Sequence, residues 1–459
     1  MTMRARLPWR VEGPRYTPWL RRAMEPLLPL LLRWQGVARC EVEGAAELAH
    51  WIGAQQAGEC RLLLAFRHPS TLDPFAMAEL LWRQVPRAAR QQGLVLRQPV
   101  HAQFLYDRGI PLWAGPLVGW LFSRLGGIPI SRGGLDRAAL RLARQVAGSG
   151  AFPLAVAPEG ANNHLAEQLA PLEPGLAQLA FWCCDDLRTA GSSVPVVMVP
   201  VGLRYGLLRP EWPVIDRLLE QLEQRLGLNL ARSDTAATAD RYSRLIRIAE
   251  ALLTLLEEFY GQLQAFATQA DEPLPQRITR LRDAVLALAE QRLGLTPSGG
   301  VEERCRRIEA AAWQRMFRAD LPQLDPLQRR LADWGAQESE LALEHMRLAE
   351  QFASISGSYV AEVPSVDRYA DVLGILWRAL DWIGKRAQPL PPGVLPLKLS
   401  IQVGDPIDVS ARHADYRADR RAAVQQLTGD LARALEVAIQ VDGSGPVSGS
   451  GHVGSSGGQ

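Results

Sequence analysis

The stretch RLLLAFRHPSTLDPF, Arg61 to Phe75, decides how this chain is read. Arg61 to Phe66 is a short apolar run rich in leucine, the pattern of a strand buried in a sheet. Pro69 suits a first helical position, and Ser70 or Thr71 can satisfy the free N–H groups of a helix start. His68 then stands at the carboxyl end of a strand, where open α/β sheets gather their ligand sites. Asp73, five residues on, can return across a strand-to-helix turn to the imidazole. Such a pairing fixes the tautomer and leaves the other ring nitrogen basic, so that it takes a proton from an attacking hydroxyl. That effect amounts to about 10²–10⁴-fold in rate.

On either side of this stretch, strand and helix patterns alternate. GLVLRQPV (Gly93 to Val100), FPLAVA (Phe152 to Ala157) and VPVVMVPVGL (Val194 to Leu203) read as further buried strands. LDRAALRLARQVAGSG (Leu135 to Gly150) and LAQLAFWCCDDLRTAG (Leu176 to Gly191) read as helices. The alternation predicts an α/β fold, a mixed sheet flanked by helices, over residues 58–212. From 213 to 390 the period changes to that of six amphipathic helices with no long strand between them. PLPPGVLPLKLSIQVGDPIDVS (Pro389 to Ser410) then returns to strand character, and a final helix follows within 391–440. A lone strand has no sheet of its own, so it is expected to rejoin the earlier one. The helical block is therefore read as a large all-α insertion before the last strand.

Two further elements bear on chemistry. LGGIPISRGG (Leu125 to Gly134) is a glycine pair, a short strand and then Arg132. VAPEGANNH (Val156 to His164) ends a strand in Pro158-Glu159-Gly160, an acidic residue in a tight turn. Taken in order, His68-x4-Asp73, Gly-Gly-Ile-Pro-Ile-Ser-Arg132, Pro158-Glu159-Gly160 and Val-Pro200-Val-Gly resemble four blocks of one family. It is the lysophosphatidate acyltransferase (PlsC-like) glycerolipid acyltransferase family. The likeness spans about 60–210 and 395–440.

The resemblance implies an O-acyltransferase that moves a fatty acyl group from an acyl thioester to a glycerolipid hydroxyl. The thioester would be acyl-CoA or an acyl-carrier protein, and lysophosphatidate the acceptor. It implies His68 as general base, Asp73 as its orienting partner, and Arg132 as the ligand of the acceptor phosphate. Glu159 and Gly160 would shape the acceptor pocket, Pro200 the acyl or acceptor side, and no metal or bound cofactor is needed. The sequence departs from the family pattern at Arg67, where Asn is usual before the histidine. It departs again at Ala157 and Ala161-Asn162-Asn163, where the third block usually runs Phe-Pro-Glu-Gly-Thr-Arg. Arg67 then becomes a candidate source of positive charge for the acceptor, and another lysolipid or a different alcohol stays open as acceptor. A non-catalytic lipid-binding or scaffold protein on the same fold is the alternative of another class.

Composition bounds these readings. The chain has 459 residues, 47% of them hydrophobic, with a net charge of only +2, which gives no global signal for nucleic acid. Residues 1–40, however, hold eight arginines against Glu12 and Glu25, beside PLLPLLL (Pro26 to Leu32). A basic, apolar start of this kind (1–57) suits an anionic membrane surface, on the cytoplasmic face and peripheral. The longest charge-free apolar run, Gly109 to Ser123, has 15 residues, short of the roughly 20 that span a bilayer. It places Trp113 and Trp120 seven apart on one expected helical face, with Phe122 near, as candidates for acyl or membrane contact. Five cysteines at irregular spacing read as buried thiols in a reducing compartment, not as metal ligands. The one Gly-x-Ser-x-Gly, Gly454 to Gly458, falls in a Gly/Ser tail (441–459) expected to be disordered, where no nucleophile elbow forms.

Overall fold

In the computed structural model the strands are β1 (Val37–Glu43), β2 (Arg61–Phe66), β3 (Gln103–Asp107), β4 (Gly127–Ile130), β5 (Leu154–Val156), β6 (Val196–Leu207), β7 (Leu397–Val403) and β8 (Ile407–Asp408). The structure describes residues 3–8, 14–131, 136–228, 237–263, 272–353, 358–384, 394 and 396–440. The Gly/Ser tail lies outside them. All eight strands form one sheet in the order β1-β7-β6-β2-β5-β3-β4, with β8 also paired to β6. β2 to β6 run parallel to one another, while β7 is antiparallel to β6 and parallel to β1.

The strand after the helical block thus returns to the sheet and lies between β1 and β6. β6 and β7 pair from Val201↔Val403 to Leu207↔Leu397. The fold is the expected mixed α/β sheet with a large helical insertion before the last long strand. The long helices of that insertion are Trp212–Arg225, Ala237–Leu263, Leu274–Arg292, Val301–Met316, Pro326–Ala353 and Val366–Ile383, as their apolar period predicts.

Side-chain alternation divides β2 between two cores. Leu63 and Ala65 face one core with the helices Arg137–Ser149, Gly175–Thr189 and Arg420–Ile439. Leu62 and Leu64 face the other, which continues without a break through Leu218, Leu252, Leu281, Ile308 and Leu373 of the helical block. The insertion therefore shares a hydrophobic core with the sheet. On the opposite face the helix Arg420–Ile439 crosses β6 so closely that a Cβ on Gly202 would stand 2.3 Å from the Ala438 carbonyl oxygen, which only glycine tolerates.

One strand expectation and one segment boundary are corrected. Gly93 to Val100 is not a strand but a surface connection, with Val95 88% exposed, and a run outside the sheet has no ladder to join. Its place is taken by β3, whose mixed QFLYD sequence carries no continuous apolar signal. The segment 1–57 likewise divides. VARCEVE (β1) and the helix Ala45–Ala57 belong to the sheet, and β1 is an edge strand whose outer polar residues hide its period.

Candidate active site

β2 and β5 are parallel neighbours with Ala65 opposite Val156, so the residues three beyond each, His68 and Glu159, emerge together at the carboxyl edge of the sheet. The His68 backbone N–H donates to Glu159 Oε1 at 2.6 Å. Its side chain, 28% exposed, pairs through Nδ1 with Asp73 Oδ2 at 2.7 Å. Asp73 is fully buried and opens the short helix Asp73–Ala78, four residues later than the expected start at Pro69. Ser70 instead shapes the turn, its N–H reaching Asp73 Oδ2 at 3.2 Å and its hydroxyl accepting from Leu72 N–H. Burial pushes the Asp73 carboxyl above its ordinary range, and the bond from His68 draws it back. With Nδ1 held by the carboxylate, Nε2 is the nitrogen left to accept a proton.

Arg67 is not a site cation. It is 0% exposed, and its guanidinium donates to the carbonyls of Ala166 at 2.7 Å, Leu203 at 2.9 Å, Gln168 at 2.8 Å and Leu165. A charge that ties the loop 165–168 to β6 from inside cannot meet an acceptor. Glu159 is also buried and does not face an acceptor directly. Its second oxygen accepts from Ala170 N–H at 2.9 Å, so one carboxylate fixes both the histidine and the loop across from it. Gly160 adopts φ +72°, and a Cβ there would stand 2.5 Å from Glu173 Oε1, which explains the glycine by conformation and space. Pro200 lies buried within β6 opposite Ala65, in the middle of the sheet, and is not a membrane-contact residue.

Arg132 and the side chain of Trp113 lie outside the described residues. The ends of the Arg132 loop are described. Asp136 accepts from Ser131 N–H and from Arg108, and caps the helix Arg137–Ser149 through Ala139 N–H. That loop leaves the same sheet edge as His68, three strand spacings or roughly 14 Å away. The run Gly109 to Ser123 is not one helix, because Gly115 at φ +92° separates Ile110–Trp113 from Pro116–Arg124. Phe122 packs edge-on against Phe104 and Tyr106 of β3, whereas Trp120 is exposed beside Arg124.

Residues 39–204 match the family model described as Acyltransferase. Over this span, a little over a third of the chain, the sequence is similar to acyltransferase domains. The span runs from Arg39 within β1 to Arg204 within β6 and includes His68, Asp73 and Glu159. No curated protein and no solved structure matches the chain.

The sheet is joined to the helical block by a polar contact that the sequence does not announce. From the helix Val366–Ile383, Asp367 accepts from Arg204 and from Leu207 N–H, Arg368 donates to Glu167, and Asp371 Oδ2 accepts from Ala166 N–H at 2.7 Å and the Tyr359 hydroxyl at 2.8 Å. Burial raises the Asp371 carboxyl to about 7. Thus the loop 163–170 is held from below by Arg67 and Glu159 and from above by the insertion. Within it His164 takes a left-handed backbone, φ 58°, which costs a non-glycine residue on the order of 1 kcal/mol. Its imidazole, depressed to about 3 by burial and by the charges of Arg378 and His68, is neutral at working pH. Tyr205 of β6 presents its hydroxyl toward Asp73, although the two form no hydrogen bond of normal geometry. His164 left one signal in the sequence, a histidine just beyond Pro-Glu-Gly. The rest left none, since their partners are 12 to 205 positions away.

Proposed function

We propose that this chain transfers a fatty acyl group from an acyl thioester to the hydroxyl of a glycerolipid-type acceptor, with His68 as general base. The observation that carries the reading is the 2.7 Å pairing of His68 Nδ1 with the buried Asp73, at the carboxyl edge of the sheet and within the span similar to acyltransferase domains. In the proposed step Nε2 of His68 takes the hydroxyl proton while the hydroxyl oxygen bonds to the thioester carbonyl carbon. The carbon–sulfur bond then breaks, and the departing thiolate takes the proton back from the imidazolium. The Asp73 carboxylate holds the ring and offsets its transient charge.

The finer reading is that lysophosphatidate becomes phosphatidate, with acyl-CoA or an acyl-carrier protein as donor. It rests on the order of the four sequence blocks. We also propose peripheral binding to an anionic bilayer through the amino-terminal helices Pro18–Met24 and Leu28–Trp34. Trp19, Leu27, Leu30 and Trp34 are exposed there beside the exposed Arg22 and Arg33. Arg15 and Thr17 N–H groups bind the carbonyls of Ser123 and Arg124, which brings the exposed Leu117 and Trp120 helix alongside. No described helix is long and apolar enough to cross a membrane.

The test is incubation of the purified protein with labelled acyl-CoA or acyl-carrier protein and a panel of lysolipids and neutral alcohols. Wild type should form acylated product, and His68→Ala should lose roughly 10²–10⁴-fold in rate. Turnover that survives the substitution would overturn the mechanism.

A further inference from the structure

The helical insertion brings to this site one arginine that forms no ion pair among the described residues. Arg378 lies on the helix Val366–Ile383, seven residues or nearly two turns beyond Asp371 and so on the same helical face. Asp371 is the residue that docks on the loop 163–170 through Ala166 N–H. The Nε and Nη2 atoms of Arg378 are shielded from solvent and have no hydrogen-bond partner. No ion pair forms at this guanidinium among the described residues. The carboxylate it feels, Asp371, is already engaged by Ala166 N–H and the Tyr359 hydroxyl. Burial lowers its pKa to about 10, which leaves it charged at neutral pH.

The most deeply buried arginines here are matched. Arg67 has four carbonyls, Arg277 has Glu257 at 2.6 Å and Arg304 has Glu290 at 2.8 Å. A shielded guanidinium without an anion is costly, and it persists where an anion is to be supplied from outside. His164 indicates where. Its ring lies within electrostatic reach of both Arg378 and His68, its backbone is held in a strained conformation, and it makes no hydrogen bond among the described residues. Strained backbone of this kind concentrates at ligand sites. The Pro-Glu-Gly turn itself carries no cation from Ala157 to His164, so a positive charge on this side of His68 has to come from elsewhere.

We propose that Arg378 of the helical insertion, with the neutral His164 as a second donor, binds a substrate phosphate beside His68. A planar guanidinium offers two parallel N–H donors to phosphate oxygens, and shielding from water strengthens them. The phosphate belongs either to the acceptor or to the thioester donor. The inference rests on the acyl-transfer reading for its substrates, but its anion chemistry can be tested without turnover.

The experiment uses the full chain and Arg378→Met, which removes an unpaired shielded charge and so should fold at least as stably as wild type. KM is measured for lysophosphatidate against monoacylglycerol, and for acyl-CoA against a phosphate-free S-acyl-pantetheine. A rise of roughly 10- to 100-fold confined to the phosphate-bearing partner of one pair, with kcat little changed, supports the site and names the source. Equal KM values in wild type and variant across all four substrates overturn it and leave acyl transfer standing. If wild type transfers nothing, the acyl-transfer reading falls, and the site is judged by calorimetric titration with inorganic phosphate. Binding by wild type and not by Arg378→Met sustains it, and any other pattern sinks it. Should that variant fail to fold, protection of Arg378 in wild type from phenylglyoxal by inorganic phosphate, read by mass spectrometry, decides in the same way.

Discussion

The backbone N–H of His68 donates to Glu159 Oε1 at 2.6 Å, and the other oxygen of that carboxylate holds Ala170 N–H. The acidic residue of the Pro-Glu-Gly turn thus positions the histidine from behind while Asp73 orients its ring. Glu159→Gln replaces one acceptor oxygen by an NH₂ group facing an N–H donor. We expect kcat to fall roughly 10- to 100-fold with little change in KM. Stability should fall by about 1–3 kcal/mol, read as a lower urea midpoint. A proportional rise in KM at unchanged kcat would instead make Glu159 a substrate ligand.

Arg67 supplies bonds to four carbonyls with one fully buried guanidinium. Lysine has three donors on a single nitrogen and cannot span them. Arg67→Lys should lower stability by roughly 3 kcal/mol, from carbonyls left without partners in the interior. Urea denaturation checks this. An Arg67→Lys protein of wild-type stability but weakened acceptor binding would restore Arg67 to the site.

Asp371 makes docking of the insertion pH-dependent. The folded state holds its proton up to about pH 7, whereas an ordinary aspartate releases it near 3.8. Through that window the folded state binds more protons than the unfolded chain. The contribution of Asp371 is therefore fully present below about pH 4 and is lost as pH rises to about 7. Asp371→Asn keeps an oxygen able to accept from both Ala166 N–H and the Tyr359 hydroxyl. The variant should gain on wild type in urea midpoint between pH 4 and pH 7. A constant difference across that range would count against a raised Asp371.

Trp19 and Trp34 are 63% and 80% exposed on the amino-terminal helices. If these helices meet a bilayer, Trp19→Ser with Trp34→Ser should weaken cosedimentation with anionic vesicles by about tenfold or more, since each lost ring removes buried apolar area. Thermal stability should hardly change. Vesicle binding equal to wild type would remove these helices from the membrane contact.

The sequence by itself determined the elements that repeat a local period or a local motif. The leucine run of β2, the valine run of β6, the six amphipathic helices and the His68/Asp73 spacing were legible because the physics that sets them acts over a few residues. The return of β7 to the sheet was legible too, since a strand without neighbours must find them. β1 and β3 were not, because their residues are balanced between sheet face and solvent, and only pairing with β7 and with β4 and β5 makes them strands. The roles of Arg67 and Glu159 were not legible either. Whether a charge faces substrate or carbonyl oxygens depends on what lies across the sheet edge, here Leu165 to Ala170. The same holds for Arg378, which in sequence is one cation on an amphipathic helix. Only the docking of that helix over the loop 163–170 removes its water and leaves its charge beside His164.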